Sequence, residues 1–299
     1  MQKNYFIIGG VITLLLIGLF IFSSRTNRQN SSPNPLTPAA SFNHSHGIAV
    51  DKADASKVYI ATHEGLFLLK NDRDLFRIGK VRDDLMGFSP HPTDADTFFS
   101  SGHPARGGNL GFQKTTDGGV SWERVSAGLG GPVDFHAMAV SAANPSMVYG
   151  FFGGTLQRSA DEGKSWEYTK GTIAPFSLST HPQKTEIVYA ATENGVMVST
   201  DRGDTWSSFS PEIEGGQVSV FALSPDEPRY ALAFAEKLGG LGKSTDTGAQ
   251  WQKVAEDFGG ETILYISFSK TEPSIVYALT DRNSVYKSSS RGDTWAQVR

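Results

Sequence analysis

Five tryptophans, Trp122, Trp166, Trp206, Trp251 and Trp295, lie 44, 40, 45 and 44 residues apart and are the only tryptophans in the chain. Each closes the same short pattern of Ser or Thr, Asp and Gly. The first four copies are Thr115, Asp117 and Gly119; Ser159, Asp161 and Gly163; Ser199, Asp201 and Gly203; and Ser244, Asp246 and Gly248. The last is Ser288, Ser290 and Gly292, with Ser in the Asp place, and Phe76 with Asn71 extends the series back another 46 residues. That makes six repeats, and a period of this size means one supersecondary unit stacked on itself. The residue types suit a hairpin staple. Asp accepts hydrogen bonds from the amides of its own turn, Gly takes a positive φ, and Trp opens the next strand with a large apolar surface.

Each repeat reads as four strands. An inner strand such as His136 to Val140 comes first and a second strand with Val148 and Tyr149 follows; the third runs into the turn and the fourth leaves from the Trp. Four strands at this period describe a propeller blade, so the expected fold is an all-β, six-bladed β-propeller over residues 44–299. The first repeat begins near His44 and the last ends at Arg299, which leaves neither end a spare strand for the other's blade. Closure is therefore expected from packing of blade six against blade one.

Before the repeats, residues 5–22 form an uncharged run close to the ~20 residues a membrane-crossing helix needs. A cleaved signal peptide would have a shorter apolar stretch and a small-x-small site, whereas Phe22 is followed by Ser23, Ser24 and Arg25. Residues 1–25 are thus expected to be a membrane anchor and residues 26–43, polar and Pro-containing, a flexible linker. Lys3 precedes the run and Arg25 and Arg28 follow it, so the positive-inside rule favours neither side. The short N-terminal tail ahead of a large folded domain points to a single-pass protein of the cell membrane with its propeller on the extracytoplasmic side.

A net charge of −4 with scattered Lys and Arg gives no basic stripe for a nucleic-acid backbone. The absence of cysteine excludes disulfides, thiolate metal sites and a cysteine nucleophile. No second copy of the chain is called for, and a monomer is expected.

Aligning the repeats shows which positions share a geometry. At the start of the inner strand stand His46, Met86, His136, Phe176, Phe221 and Ile266, and at the end of the second strand His63, His103, Gly153, Glu193, Phe234 and Asp281. Both positions lie on one propeller face near the channel mouth, whereas His91 and His181 fall in turns on the opposite face. Neutral imidazoles beside carboxylates suit a transition metal such as Zn or Cu, and His46, His63, His103 and His136 are the candidate ligands. Asp84, Arg106, Glu193 and Asp281 are the candidate ligand-binding groups of the same loops. The alternative for the histidines is hydrogen bonding that holds channel loops together.

The S-x-D-x-G-x-x-W turns, with the segments at His46-Gly47-Ile48, Thr62-His63-Glu64, Asp84-Leu85-Met86, Ser101-Gly102-His103 and Asp134-Phe135-His136, resemble a bacterial group of membrane-anchored Asp-box (BNR) repeat propellers classed as glycosyl hydrolases or exo-sialidase-like. More remotely the chain is similar to the sortilin and photosystem II assembly propellers. The resemblance implies the fold over residues 44–299 and, through its hydrolase label, action on extracellular glycans. A sialidase would need three converging arginines, for which Arg82, Arg106 and Arg282 are the candidates, and a Tyr–Glu pair from Tyr265 with Glu193 or Glu261. Arg77 belongs to an outer strand. The leading reading is a binding or assembly module with a metal or small polar ligand at a His-rich mouth and a protein or glycan partner. The alternative is a sialidase-like glycoside hydrolase, with Asp84 and Glu193 as a carboxylate pair.

Overall fold

The second strand of each repeat is apolar without alternation. Val58, Tyr59, Ile60 and Ala61 are all buried, as are Val188, Tyr189, Ala190 and Ala191. A strand with no polar face must be covered on both sides. The computed structural model, which describes residues 35–299, supplies the two covers as neighbouring blades. Ile60 and Phe67 face Tyr277 and Leu279 of the last blade, while Tyr59, Leu66 and Leu68 face Phe88 and Phe98 of the second.

The chain forms six antiparallel sheets in sequence order, a six-bladed propeller of four-stranded blades. The innermost strands are Ser45–Val50, Met86–Pro90, Ala137–Val140, Ser177–Thr180, Val218–Leu223 and Ile263–Phe268, and each lies beside the next around the ring, the last beside the first. Blades one and six meet without exchanging a strand. The amides of Ser45 and Val50 donate to Asn283 Oδ1 and Ser267 Oγ at 3.0 Å each, and Lys287 Nζ reaches Asp72 Oδ2 at 2.6 Å. Tyr277 also donates to Asp72.

Three sequence expectations need correction. Part of the segment read as linker is built into the fold: Leu36–Pro38 pairs with Asp74–Ile78 as a fifth, outermost strand of blade one, and Phe42 is buried in its core. Residues 26–34 of the linker and the 1–25 anchor lie outside the described residues; within the described residues no helix is long and apolar enough to cross a membrane. In blade one, Leu75 takes the tryptophan place. Phe67 pairs with Arg77 as Gln157 pairs with Tyr168, which leaves Phe76 half-exposed and Leu75 buried. In blades five and six the inner strands sit two residues off the expected alignment. Leu223 pairs with Ala231, and Phe268 with Val276, as Val140 pairs with Val148. The counterparts of His136 are then Ser219 and Leu264, and Glu236 replaces Phe234 at the end of the second strand.

The repeated turns are built as their residue types suggest. In blade three, Asp161 Oδ1 accepts from the Ser165 amide at 2.8 Å and Oδ2 from the Ser165 hydroxyl at 2.6 Å, while Ser159 Oγ accepts from the Gly163 amide at 2.8 Å. Gly163 has φ +82°, and a Cβ there would lie 2.0 Å from the Phe112 ring of blade two, so only glycine lets the turn seat on its neighbour. Trp166 then packs on Phe112 and Phe135 at ring distances of 5.2 and 5.1 Å.

These hydrogen bonds hold the Asp161 carboxyl down at about 2, the Ser165 hydroxyl being the largest cause. A depressed carboxylate contributes stability that is full above its unfolded value near 4 and is lost as pH falls toward the folded one. Asp161→Asn keeps an acceptor but removes the charge. The variant is expected to lose less of its urea midpoint than the wild type between pH 4.5 and 2.5. Equal losses would show that the turn carboxylate does not contribute.

Candidate metal centre

The mouth of the channel on one face is built from four short segments of blades one and two. His46 occupies an irregularity in the innermost strand, where the pairing shifts between Ser45 and Gly47; an extra residue of this kind re-aims its side chain. His63 follows the strand Lys57–Thr62 in a tight turn, and His103 follows Phe98–Ser101 after Gly102. Asp84 stands two residues ahead of the innermost strand of blade two. Backbone hydrogen bonds lock the segments together: Asp84 N to His103 O at 2.9 Å, Leu85 N to Thr62 O at 3.1 Å and His63 N to His44 O at 3.1 Å.

Three imidazoles converge on the Asp84 carboxylate. Nε2 of His46 lies 3.3 Å from Oδ1, and Nε2 of His63 and of His103 lie 3.4 and 3.2 Å from Oδ2. The Asp84 side chain is only 4% exposed, His46 16%, and His63 and His103 somewhat under half. Both Asp84 oxygens and His46 Nε2 are buried without a properly oriented hydrogen bond. Orphaned polar atoms of this kind are costly unless something else satisfies them. Two ligands about 2.05 Å from one tetrahedral ion stand about 3.3–3.4 Å apart, close to the separation of each imidazole nitrogen from its nearer Asp84 oxygen. Among the described residues His46, His63 and Asp84 have ligating atoms that all fall within 4.8 Å of one another, and His103 joins this trio through Asp84 alone.

Burial favours a lone pair on the His46 ring. Burial, followed by the neighbouring His63, His136, His44 and His103, pushes His46 down to about 3, so it is neutral at physiological pH. Burial raises the Asp84 carboxyl, outweighing the histidines that would stabilise its charge. Tyr265, lining the channel, is pushed up to about 12 by burial and then by Asp84, and therefore keeps its proton.

The structure gathers the predicted site residues unevenly. His46, His63 and His103 come together as expected, and Asp84 is the hub they share. His136 is mostly exposed and turns Nδ1 to Asp134, 3.3 Å from its carbonyl and 3.8 Å from Oδ2, so it stands at the rim. Arg106 and Glu193 are exposed, and Asp281 ties its own loop by accepting from the Thr262 amide at 3.1 Å. No hydrogen bond or ion pair joins Glu193 to Asp84 among the described residues. Arg82 holds the Val81 carbonyl at 2.6 Å, Arg282 is exposed, and Glu261 accepts from Thr280 Oγ1 at 2.6 Å, so these groups do not form a converging carboxylate clamp. Arg77 pairs with Glu64 at 2.6 Å on the outer strand. On the opposite face, His91 Nδ1 accepts the amides of Thr93 and Asp94, and His181 Nδ1 that of Gln183, which are turn-capping roles.

Gly102 offers a direct check on how tightly the cluster is held. Its φ is +119°, and a Cβ would lie 2.1 Å from the Asp84 carbonyl oxygen. Gly102→Ala should push Asp84 away from the histidines and weaken metal binding by about tenfold or more, a scale seen when groups supporting metal ligands are lost. Calorimetric zinc titration of a variant that still unfolds cooperatively is the test. Unchanged affinity would show that the Gly102 contact does not position Asp84.

Fold and site together define a β-propeller with a histidine–aspartate cluster at one channel mouth. No protein-family model matches the chain, and no curated protein matches its sequence. Among solved structures it is similar to a GH74 xyloglucanase from Xanthomonas campestris, at 17% identity and a TM-score of 0.60, covering 88% of this chain and 47% of that one. It is also similar to the GH74 enzyme of Niastella koreensis, at 16% identity and TM-score 0.59, covering 88% and 46%. A third similar structure is YCF48 bound to D1 peptide, at 14% identity and TM-score 0.56, covering 88% and 84%. The chain spans about half the length of the two GH74 proteins, and at these identities the likeness establishes the propeller fold alone.

Proposed function

We propose that this propeller is a binding module that holds a transition metal ion, Zn or Cu by the chemistry of its donors, through His46, His63, His103 and Asp84. The observation that carries the reading is the buried carboxylate with three imidazole nitrogens at 3.2–3.4 Å and no hydrogen bond to satisfy it. A divalent ion at the centre would give His46 Nε2 and an Asp84 oxygen the partner they lack and offset the burial of Asp84. In this reading residues 5–22 hold the propeller at a membrane on the extracytoplasmic side, and the partly exposed His63 and His103 leave the ion accessible from the mouth.

Metal binding to the folded state alone raises stability by RT ln(1 + [L]/Kd), about 4 kcal/mol at a thousandfold excess over Kd. Zinc or copper added to chelator-treated protein should therefore raise its thermal midpoint by several degrees, and His63→Ala should abolish most of that rise. No metal-dependent shift in the wild type would refute the proposal.

A further inference from the structure

The channel beneath this mouth is asymmetric. It encloses about 360 Å³, within the range of small-ligand pockets. Of the four proposed ligands His46 lines it, whereas blades four to six line it with Leu178, Leu223 and Ile266, each only partly buried. Phe176, at the mouth in blade four, is 45% exposed and is one of two large apolar side chains so exposed among the described residues; the other, Tyr168, is on an outer strand. The hydroxyl of Tyr265, also on the wall, has no hydrogen bond among the described residues. A donor hydroxyl and an apolar surface therefore stand in the same channel as His46, the ligand that joins it to the cluster.

Three neutral imidazoles and one carboxylate on a divalent ion leave one positive charge. That charge would sit at the edge of a partly apolar cavity, where an anion is attracted more strongly than in open water. We infer that the mouth takes a small amphipathic monocarboxylate, its head on the metal ion and the Tyr265 hydroxyl and its apolar body in the channel against Phe176. The inference rests on the metal reading above and adds the class of ligand. Charge sets the head group and the exposed ring sets the body.

Calorimetric titration of the zinc-loaded full chain with octanoate, acetate and octanol tests it. Octanoate should bind at least about tenfold more tightly than acetate, because each buried methylene contributes about 0.8 kcal/mol. It should also bind at least about tenfold more tightly than octanol, which lacks the charge, and more tightly than it binds zinc-free protein. Phe176→Ala should weaken octanoate several-fold while zinc content and acetate affinity stay unchanged. Protein that takes up no zinc overturns both the metal reading and this one. Zinc-loaded protein that binds acetate as well as octanoate, or octanol as well as octanoate, overturns the ligand assignment alone. Equal octanoate binding with and without zinc does the same.

Discussion

Asp84→Asn should remove tight metal binding and, in the metal-free protein, leave stability unchanged or slightly higher. The two effects have different origins. The carboxylate supplies the only negative charge among the four proposed ligands, so its loss removes the attraction that offsets desolvation of the ion. In the metal-free state the same carboxylate is buried with both oxygens lacking an oriented hydrogen bond, and a neutral amide avoids that penalty. The expected gain is about 1 kcal/mol, which in a domain of this size is a rise of about 2–4 °C in thermal midpoint. Against it stands the loss of the metal-dependent increment of about 4 kcal/mol. Scanning calorimetry of wild type and variant, each with chelator and with excess zinc, separates the terms. A variant several kcal/mol less stable than wild type in chelator would mean that Asp84 is a structural anchor for charged histidines.

The second large effect is expected at Phe135. It is fully buried between blades two and three, packs on Trp166 at 5.1 Å, and lies so close to Gly150 that a Cβ there would be 2.6 Å from its ring. Its amide donates to the buried Ser101 hydroxyl at 2.7 Å. Phe135→Ala should cost about 3–5 kcal/mol through lost burial and an unfilled cavity. That corresponds to a fall of roughly 1 M or more in the urea midpoint. Phe135 is flanked by Asp134 and His136, so the same variant should also loosen the rim. A loss below 1 kcal/mol would show that the blade interface collapses to fill the space.

The blade count was legible because the tryptophans mark one place in five of the six blades and their period is that of a single sheet. The inner-strand register was legible in blades one to four, including the shifted pairings at Ser45 and Met86, and not in blades five and six. Pairing shifts between Val218 and Val220 and between Ile263 and Tyr265 absorb an extra residue that hydrophobic pattern does not reveal. These are the blades in which the inner alignment slipped by two. In blade one the turn after the third strand is tighter, with Asn71 and Asp72 both at positive φ, so Leu75 rather than the larger Phe76 reaches the core.

The candidate site was legible in part for a related reason. Equivalent repeat positions share a height and a radius on the propeller but not a place on the ring. His46, His63 and His103 meet because blades one and two are neighbours. Glu193 and Asp281 hold the position of His63 in blades four and six. His136, one blade further round than His103, reaches the rim and faces Asp134. Asp84 precedes the innermost strand, at the position Asp134 holds in blade three, and its role as the common partner of three histidines emerges only from the fold.

The most direct test of a metal centre is elemental analysis of the full chain purified in mild detergent, without a histidine tag or chelator, followed by zinc or copper loading and removal of excess metal. The account predicts close to one transition metal ion per chain, falling below about a tenth of that in the His46→Ala and Asp84→Asn variants. Less than a tenth of an ion per wild-type chain after loading would contradict it and leave the three histidines as hydrogen-bonding groups of the channel mouth.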